Sequence, residues 1–289
     1  MSRAALFAAA ALLCACAGQV RSLEERVAEA LVSPNPGARA AAQAQLEGAD
    51  TEARRLVAVA LSRRLVEAAA AADEGAVAPA ALALASLGPQ AVVGAADALD
   101  ERDLAFEVQL ADGRPARDTG QENPPSIPFS PEESAARVAA FKARDEAVTL
   151  ELSAALAQVG APAVRPLLEL ASQKARPGRP PLSRPAPLMR AAASQALASM
   201  GEPAVPELAR ALKTPALRGA ALRALGSAGS EGLKLLVTAL AVDDPAIRKE
   251  AAAALREAVS RAEGAGWPER ELLLARARQA LRRYANSRP

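Results

Sequence analysis

The feature that most constrains the fold of this chain is a pattern of apolar residues placed at fixed distances after a glycine. An apolar residue stands four places after the glycine, and leucine stands seven and eleven places after it, in residues 201–212 and 229–240. Residues 160–171 follow the same pattern with alanine at the last position, and residues 88–99 follow it more loosely. Offsets of four, seven and eleven lie on one helical face. Each segment therefore predicts a helix, called helix B here.

A second pattern precedes these segments and predicts a partner helix, called helix A. Its first member, the anchor, lies eleven residues before the glycine, and a leucine follows the anchor by seven. The anchors with their leucines are Arg39 and Leu46, Val77 and Leu84, Thr149 and Leu156, Arg190 and Leu197, Arg218 and Leu225, and Arg248 and Leu255. The first and last pairs extend the pattern at its ends. The chain is therefore predicted to contain six units of helix A, turn and helix B.

Turn and cap residues stand where such units need them. Four places before the anchors stand Asn35, Asp73, Asp145, Ala186, Thr214 and Asp244, of which all but the alanine are good N-caps. Pro36, Pro215 and Pro245 follow at the first helical position, where a missing N–H costs nothing. The glycine between the two helices suits the left-handed conformation of a C-cap. Pro162 and Pro203 are predicted to start helix B.

Composition supports an all-helical chain and removes several classes of function. Alanine and leucine dominate the apolar half of the 289 residues, which favours helix over strand. The chain has no histidine, so it lacks the usual general base and metal ligand. A net charge of +2 and an aromatic content of 2% do not suggest a nucleic-acid binder. We expect one elongated domain.

The last repeat carries a resemblance to a known family. Residues 244–248, Asp-Pro-Ala-Ile-Arg, with Ala251, Ala252 and Leu255, resemble the Asp-x-x-Val-Arg helix start of HEAT repeats, especially the short bacterial form also found in phycobilisome lyases. The resemblance covers roughly residues 30–260. It implies a right-handed α-solenoid of about six HEAT-like helix pairs. The alternative is an irregular helical bundle whose alanine and leucine content imitates a repeat.

Both ends of the solenoid are predicted to be covered, so that it occupies residues 22–289. Residues 22–25, Ser-Leu-Glu-Glu, form a capping box that opens an N-terminal helix. A C-terminal capping helix is predicted over residues 268–285, with Leu274, Ala277, Leu281 and Tyr284 on one face. Its arginines leave an amphipathic membrane helix as the alternative.

Two insertions interrupt the repeats, at about residues 100–130 and 173–188. From Asp97 to Glu133 there are ten acids against three arginines. Apolar residues stand at every second place in residues 106–110, before an Asp-Gly turn, and this pattern indicates a small hairpin. The second insertion is rich in proline and in basic residues. Both follow a B helix, so both should emerge at the same edge of a solenoid.

This edge is the candidate partner-binding site. Its residues are Lys174, Arg176, Arg179, Arg184, Asp103, Glu107, Asp112 and Asp118. In one interpretation the two loops pair with each other or are merely solvated. In the other they form a polar edge that binds a partner, since loops carry binding residues more often than scaffolds do.

The N-terminus resembles the lipobox of bacterial lipoproteins. A basic start precedes ten apolar residues, and residues 13–16 read Leu-Cys-Ala-Cys. The resemblance implies that residues 1–15 are a signal peptide, that Cys16 is lipidated, and that residues 16–21 are a tether. Ala17 stands where an aspartate would resemble the inner-membrane retention signal, which favours the outer membrane, facing the periplasm. The alternatives are an ordinary signal peptide, a buried apolar helix, or a cytoplasmic module whose N-terminus has been misinterpreted.

No catalytic or cofactor motif is present in the sequence. We therefore expect a non-enzymatic scaffold or adaptor that binds another protein of the cell envelope, without cofactor, metal, nucleic acid or small-molecule substrate. The alternative is an enzyme: HEAT-like lyases act on chromophores or proteins, and HEAT-like glycosylases act on DNA.

Overall fold

The computed structural model describes residues 22–99, 131–172, 187–262 and 270–286. These residues form thirteen α-helices and contain no strand. The first five helices are α1 Leu23–Leu31, α2 Pro36–Glu47, α3 Thr51–Ala70, α4 Glu74–Ser86 and α5, residues 89–99. The next four are α6 Pro131–Gln158, α7 Val164–Ser172, α8 Pro187–Ser199 and α9 Val205–Ala211. The last four are α10 Pro215–Leu225, α11 Gly229–Ala239, α12 Pro245–Ala262 and α13 Arg270–Asn286.

The helices stack in two layers. The A helices α4, α6, α8, α10 and α12 each pack against the next, and the B helices α7, α9, α11 and α13 form a second row beside them. The second half of α6 and helix α7 meet at an angle of 115° across one of the turns between layers. The prediction of an all-α solenoid is confirmed.

The leucine that follows each anchor by seven residues forms the centre of this stack. All six leucines are at most 5% exposed: Leu46, Leu84, Leu156, Leu197, Leu225 and Leu255. Each is surrounded mainly by alanine, leucine and valine from neighbouring helices. Since an isolated helix pair cannot cover both of its apolar sides, packing on neighbouring helices is what removes these side chains from water. Leu46 is on α2, which packs mainly against α1, and the other five leucines lie in the row of stacked A helices.

The predicted N-caps are confirmed at three helices. Asn35, Asp73 and Asp244 each accept a hydrogen bond from a first-turn N–H, at 2.9, 3.2 and 2.9 Å. Ser22 forms the predicted capping box with Glu25. Thr214 occupies the N-cap position of α10, but its side chain makes no capping hydrogen bond.

The prediction that Asp145 caps a helix is wrong. Helix α6 begins at Pro131 and continues for 28 residues without a break, so Asp145 lies in its interior. No glycine or further proline interrupts residues 132–158, and alanine and glutamate favour helix through this stretch. The helix that starts after the first insertion therefore continues directly into the third A helix.

The predicted glycine turns are confirmed. Gly88, Gly160, Gly201 and Gly229 have φ between 61 and 79°, the left-handed region that strains residues with a Cβ. Pro162 and Pro203 lie in short 3₁₀ turns, Ala161–Ala163 and Glu202–Ala204, and the following B helices begin just after them. The prolines thus start the turn that leads into helix B.

Helix α3 departs from a regular repeat. It packs against α1, α4 and α6, and its buried residues lie on most of its circumference. Helix α5 crosses it very closely, because a Cβ on Gly94 would lie 2.4 Å from the Cβ of Ala58 and 2.7 Å from the backbone of Val59. The small side chains at this crossing let the two helix backbones approach.

An arginine ties together three units at the other end of the solenoid. Arg218 on α10 donates to the carbonyl oxygen of Leu212, just after α9, at 3.1 Å. Its Nη1 also lies 3.4 Å from Oδ2 of Asp244, the N-cap residue of α12. One side chain therefore fixes the end of a B helix relative to the start of an A helix two units further along.

The last helix covers the end of the stack. Leu273, Leu274 and Ala277 of α13 are buried, and Leu281 and Tyr284 are half-buried. Helix α13 packs against α11 and α12. Arg276, Arg278, Arg282 and Arg283 are exposed on its other side. Taken one at a time, none of the described helices combines the length and the apolarity that a membrane span needs.

Substitution of Gly94 tests the close crossing of α3 and α5. Gly94→Ala should destabilise the protein by about 2 kcal/mol, because the added methyl group overlaps the backbone of α3. Urea unfolding followed by circular dichroism measures the change. Gly75→Ala on α4 is the matched control, because its Cβ would meet only ordinary contact at 3.4 Å. We expect this control to be neutral or to gain up to about 1 kcal/mol; equal losses in both variants would contradict the crossing.

Candidate functional site

The repeat creates one regularly exposed position on the A helices. The residue five places after each anchor is exposed in all six units: Ala44, Leu82, Ala154, Gln195, Arg223 and Ala253. At 100° per residue this position lies nearly opposite the buried leucine at place seven. The A helices therefore present a common outer face, and three of these six side chains are alanine.

Two clefts lie side by side on this face. The first lies between α6 and α8 and has a volume of about 620 Å³. The second lies between α8, α10 and α12, with Ala171 of α7 at its wall, and has a volume of about 350 Å³. Ala191 and Gln195 line both clefts. The two clefts thus share a wall and together extend across four A helices, and we call the pair the A-face groove.

The α6 end of the A-face groove combines apolar and charged side chains. Leu150 is 54% exposed there, beside the half-buried Leu188 of α8. Lys142, Asp145 and Glu146 complete this end along α6. An exposed leucine beside charged groups is suited to contact a partner's apolar side chain while the rim stays hydrated.

The other end of the A-face groove is basic. Arg223 and Arg261 line it together with the single carboxylate of Glu257. Arg261 donates to the hydroxyl oxygen of Ser227, and its Nη2 lies 3.5 Å from Oε1 of Glu257. Arg223 is exposed and has no hydrogen-bond or ion-pair partner among the residues that the structure describes. Among the residues that line this end, two are positively charged and one is negatively charged.

The sequence did not lead us to these residues. Gln195 and Arg223 occupy the same repeat position, so the signal that could have revealed them was the exposed position of each A helix. Arg261 lies beyond the anchor and leucine of its unit, and only the packing of α10 against α12 places it in the groove.

All predicted site residues lie outside the described residues. This applies to Lys174, Arg176, Arg179, Arg184, Asp103, Glu107, Asp112 and Asp118, and to the lipidation residue Cys16. The predicted hairpin at residues 106–110 also lies outside them. The structure does describe where the second insertion leaves and returns: Ala171 lines the second cleft and Leu188 lines the first. Both ends of that insertion therefore lie at the A-face groove.

Asp97, the first of the acids counted around the first insertion, belongs to helix packing. Arg55 on α3 forms an ion pair with Asp97 on α5, and it also holds Glu52, with Nη2 to Oε1 at 2.6 Å and Nε to Oε2 at 2.9 Å. The pKa of Arg55 is raised mainly by its hydrogen bond to Glu52, and also by its hydrogen bond to Asp97. The hydrogen bond from Arg55 lowers the pKa of Glu52. Asp97 thus fastens α5 to α3.

Within the described ranges, no group of three or more histidine, cysteine, aspartate or glutamate side chains is placed to hold a metal ion.

The fold and the groove define a class of protein, a helical-repeat solenoid with an open groove on its A helices. The family model described as HEAT repeats matches residues 181–256, which include helices α8 to α11 and the first part of α12. This match and the stacked architecture support a HEAT-repeat protein. No curated protein matches the chain. Helical repeats of this kind commonly mediate contacts between proteins, so a protein partner is supported as well.

The role assigned to Asp97 can be tested by a double-mutant cycle. Arg55→Met and Asp97→Asn should each lower the free energy of unfolding by about 1 kcal/mol, because each breaks the partly buried ion pair between α3 and α5. Chemical unfolding of the two single variants and the double variant gives the coupling energy. Arg165→Met is the control, since its pair with Glu169 is largely exposed and should contribute under about 0.5 kcal/mol. Additive losses would show that the pair does not couple α3 to α5.

Proposed function

We propose that this chain is a lipid-anchored, non-enzymatic scaffold that binds another protein in the bacterial cell envelope. The main support for a binding function is the A-face groove. It extends across α6, α8, α10 and α12, and it combines an exposed leucine with charged side chains at its edges. Surfaces built from successive repeats are the usual binding surfaces of solenoids. The lack of histidine in the whole sequence supports a role that needs no general base.

The basic insertion is proposed to form part of the same binding surface. Its chain ends lie at Ala171 and Leu188, both in the lining of the A-face groove. Lys174, Arg176, Arg179 and Arg184 are therefore close in sequence to the groove, with the acidic residues of the first insertion as the proposed complement. Charged residues at the rim of an interface mainly steer association and set specificity.

The proposed anchor is Cys16, acylated after removal of residues 1–15. Residues 17–21 would separate the lipid from α1, and five residues reach under about 20 Å even when extended. The scaffold would then lie close to the membrane surface, facing the periplasm if the anchor is in the outer membrane. Leu23, at the start of α1, is 43% exposed, which is compatible with such a position. More than one acyl chain is needed for stable attachment.

Substitution of the proposed lipidation site tests the anchor. Cys16→Ala should release the protein from membranes into the soluble fraction, because the acyl chains have no other attachment point. Cys14→Ala, which removes the neighbouring thiol, should leave membrane attachment unchanged. The measurement is fractionation of envelopes followed by immunoblotting, with and without globomycin, an inhibitor of lipoprotein signal cleavage. Continued membrane attachment of Cys16→Ala and processing that globomycin does not alter would overturn the anchor.

A photo-crosslinking amino acid at position 195 tests the scaffold function in intact cells. We expect it to capture one abundant envelope protein, because Gln195 lies at the centre of the A-face groove. The same amino acid at position 44 is the matched control, since Ala44 is exposed at the same repeat position but lies outside the groove lining. Reversing the charge of Arg176, Arg179 and Arg184 together should weaken the capture and change its salt dependence.

Two results would contradict these proposals separately. Equal capture from positions 195 and 44 would remove the argument for the groove. Capture that the triple charge reversal leaves unchanged at every salt concentration would remove the insertion from the binding surface while leaving the groove in place. A purified chain that binds a bilin chromophore would favour the lyase alternative.

A further inference from the structure

We propose that the basic end of the A-face groove binds a carboxylate of the partner, so that the scaffold selects an acidic peptide segment. This inference rests on the proposed function, because it names the chemistry of the segment that the groove takes. It is carried by two guanidinium groups, those of Arg223 and Arg261, which line one small cleft from two different helices.

Arg223 supplies a cation whose hydrogen-bonding capacity is unused. It stands on the outer face of α10, exposed to the cleft, and no described side chain pairs with it. The carboxylate of Glu250 approaches the neighbouring Gly219 but forms no ion pair with Arg223. A guanidinium group presents several N–H donors in a planar fork, which matches the two oxygens of a carboxylate.

Arg261 supplies a second cation that is already oriented toward the cleft. Its contacts are with Ser227 and with Glu257, one helical turn before it on the same helix. An exposed pair of this kind contributes little to stability, so a ligand carboxylate can displace it at little cost. Ser227 lies just after the end of α10 and lines the same cleft as Arg223, so its hydroxyl group is a third polar group beside the two arginines.

The remaining walls favour a peptide as the carrier of the carboxylate. Ala191, Ala198, Ala220 and Ala224 line the same cleft, and their short side chains leave space beside the arginines. Gln195 joins this cleft to the α6 end, where Leu150 and Leu188 are available to an apolar side chain. The groove therefore fits an extended segment that carries an aspartate or glutamate at one end and an apolar residue at the other.

The net charge of the basic end also bears on the class of anion. Among the residues that line the cleft, two arginines face one carboxylate, that of Glu257, while the carboxylate of Glu250 lies near Arg223 outside the lining. The basic end therefore has room for one further carboxylate. Glu257 would repel a second negative charge placed beside Arg261, and this disfavours a dianion such as phosphate relative to a carboxylate. The pairing should weaken as salt is added, because the cleft is open to solvent.

The first part of the test is an unbiased selection. A library of short random peptides displayed on phage is selected on the full chain purified in detergent. We expect the bound peptides to be enriched in aspartate or glutamate next to an aliphatic or aromatic residue. A selection that yields no acidic enrichment would overturn the proposal.

The second part measures affinity by fluorescence anisotropy of the best selected peptide carrying a fluorescent label. Arg223→Met and Arg261→Met should each weaken binding about tenfold, as expected for loss of a charge-assisted pair. Replacing the peptide's acid by its amide should weaken binding to the wild-type chain about as much, and should have little further effect on Arg223→Met. Arg165→Met, on the exposed surface of α7, is the control and should bind within about twofold of wild type.

Each remaining outcome decides the proposal. If Arg223→Met and Arg261→Met bind as wild type while keeping the same thermal unfolding curve, the carboxylate site is wrong. If inorganic phosphate competes with the peptide better than acetate does, the cleft is a phosphate site and the proposal fails. Capture of a partner from position 195 by the Arg223→Met variant, with unchanged yield, would keep the scaffold function and remove only this inference.

Discussion

The structure depends on burying leucine between neighbouring helix pairs whose other core residues are mostly alanine. Leu46, Leu156 and Leu225 are almost completely hidden, although each belongs to a helix pair too small to hide it alone. Alanine around the leucines lets helices approach closely, as at Gly94, where a single methyl group would overlap the backbone of α3. The stability of this chain therefore depends on adjacent units taken together, and a packing defect where two helices cross should destabilise both of them.

The same preference for small side chains explains the groove. On the outer face of the A helices, alanine at positions such as Ala191 and Ala198 leaves space that larger residues would fill. The charged groups then stand at the borders of this space, with Glu146 at one end and Arg223 at the other. A surface that is mostly short side chains with a few arginines and one exposed leucine can hold an extended segment without rearranging its own core.

Much of the fold could be predicted from the sequence because its signals are local. The buried leucines follow from helical periodicity, and the caps at Asn35 and Asp244 and the turn at Gly201 follow from backbone chemistry within a few residues. Asp145 shows where local reasoning fails, since a good capping residue remains inside a helix when the residues before it also favour helix. The groove could not be predicted in this way. It depends on which A helices lie side by side and on how closely they pack, and neither is encoded in the spacing within one unit.

The contact of Arg218 with both Leu212 and Asp244 has a consequence for how a ligand would be received. It connects α10 to the start of α12, the same two helices that form the basic cleft. Sliding of one helix along the other would break this contact, because Arg218 binds Oδ2 of Asp244 while Oδ1 of the same carboxylate caps α12. This contact favours one arrangement of α10 and α12 before any encounter, so that more of the ordering entropy lost on association falls on the incoming chain.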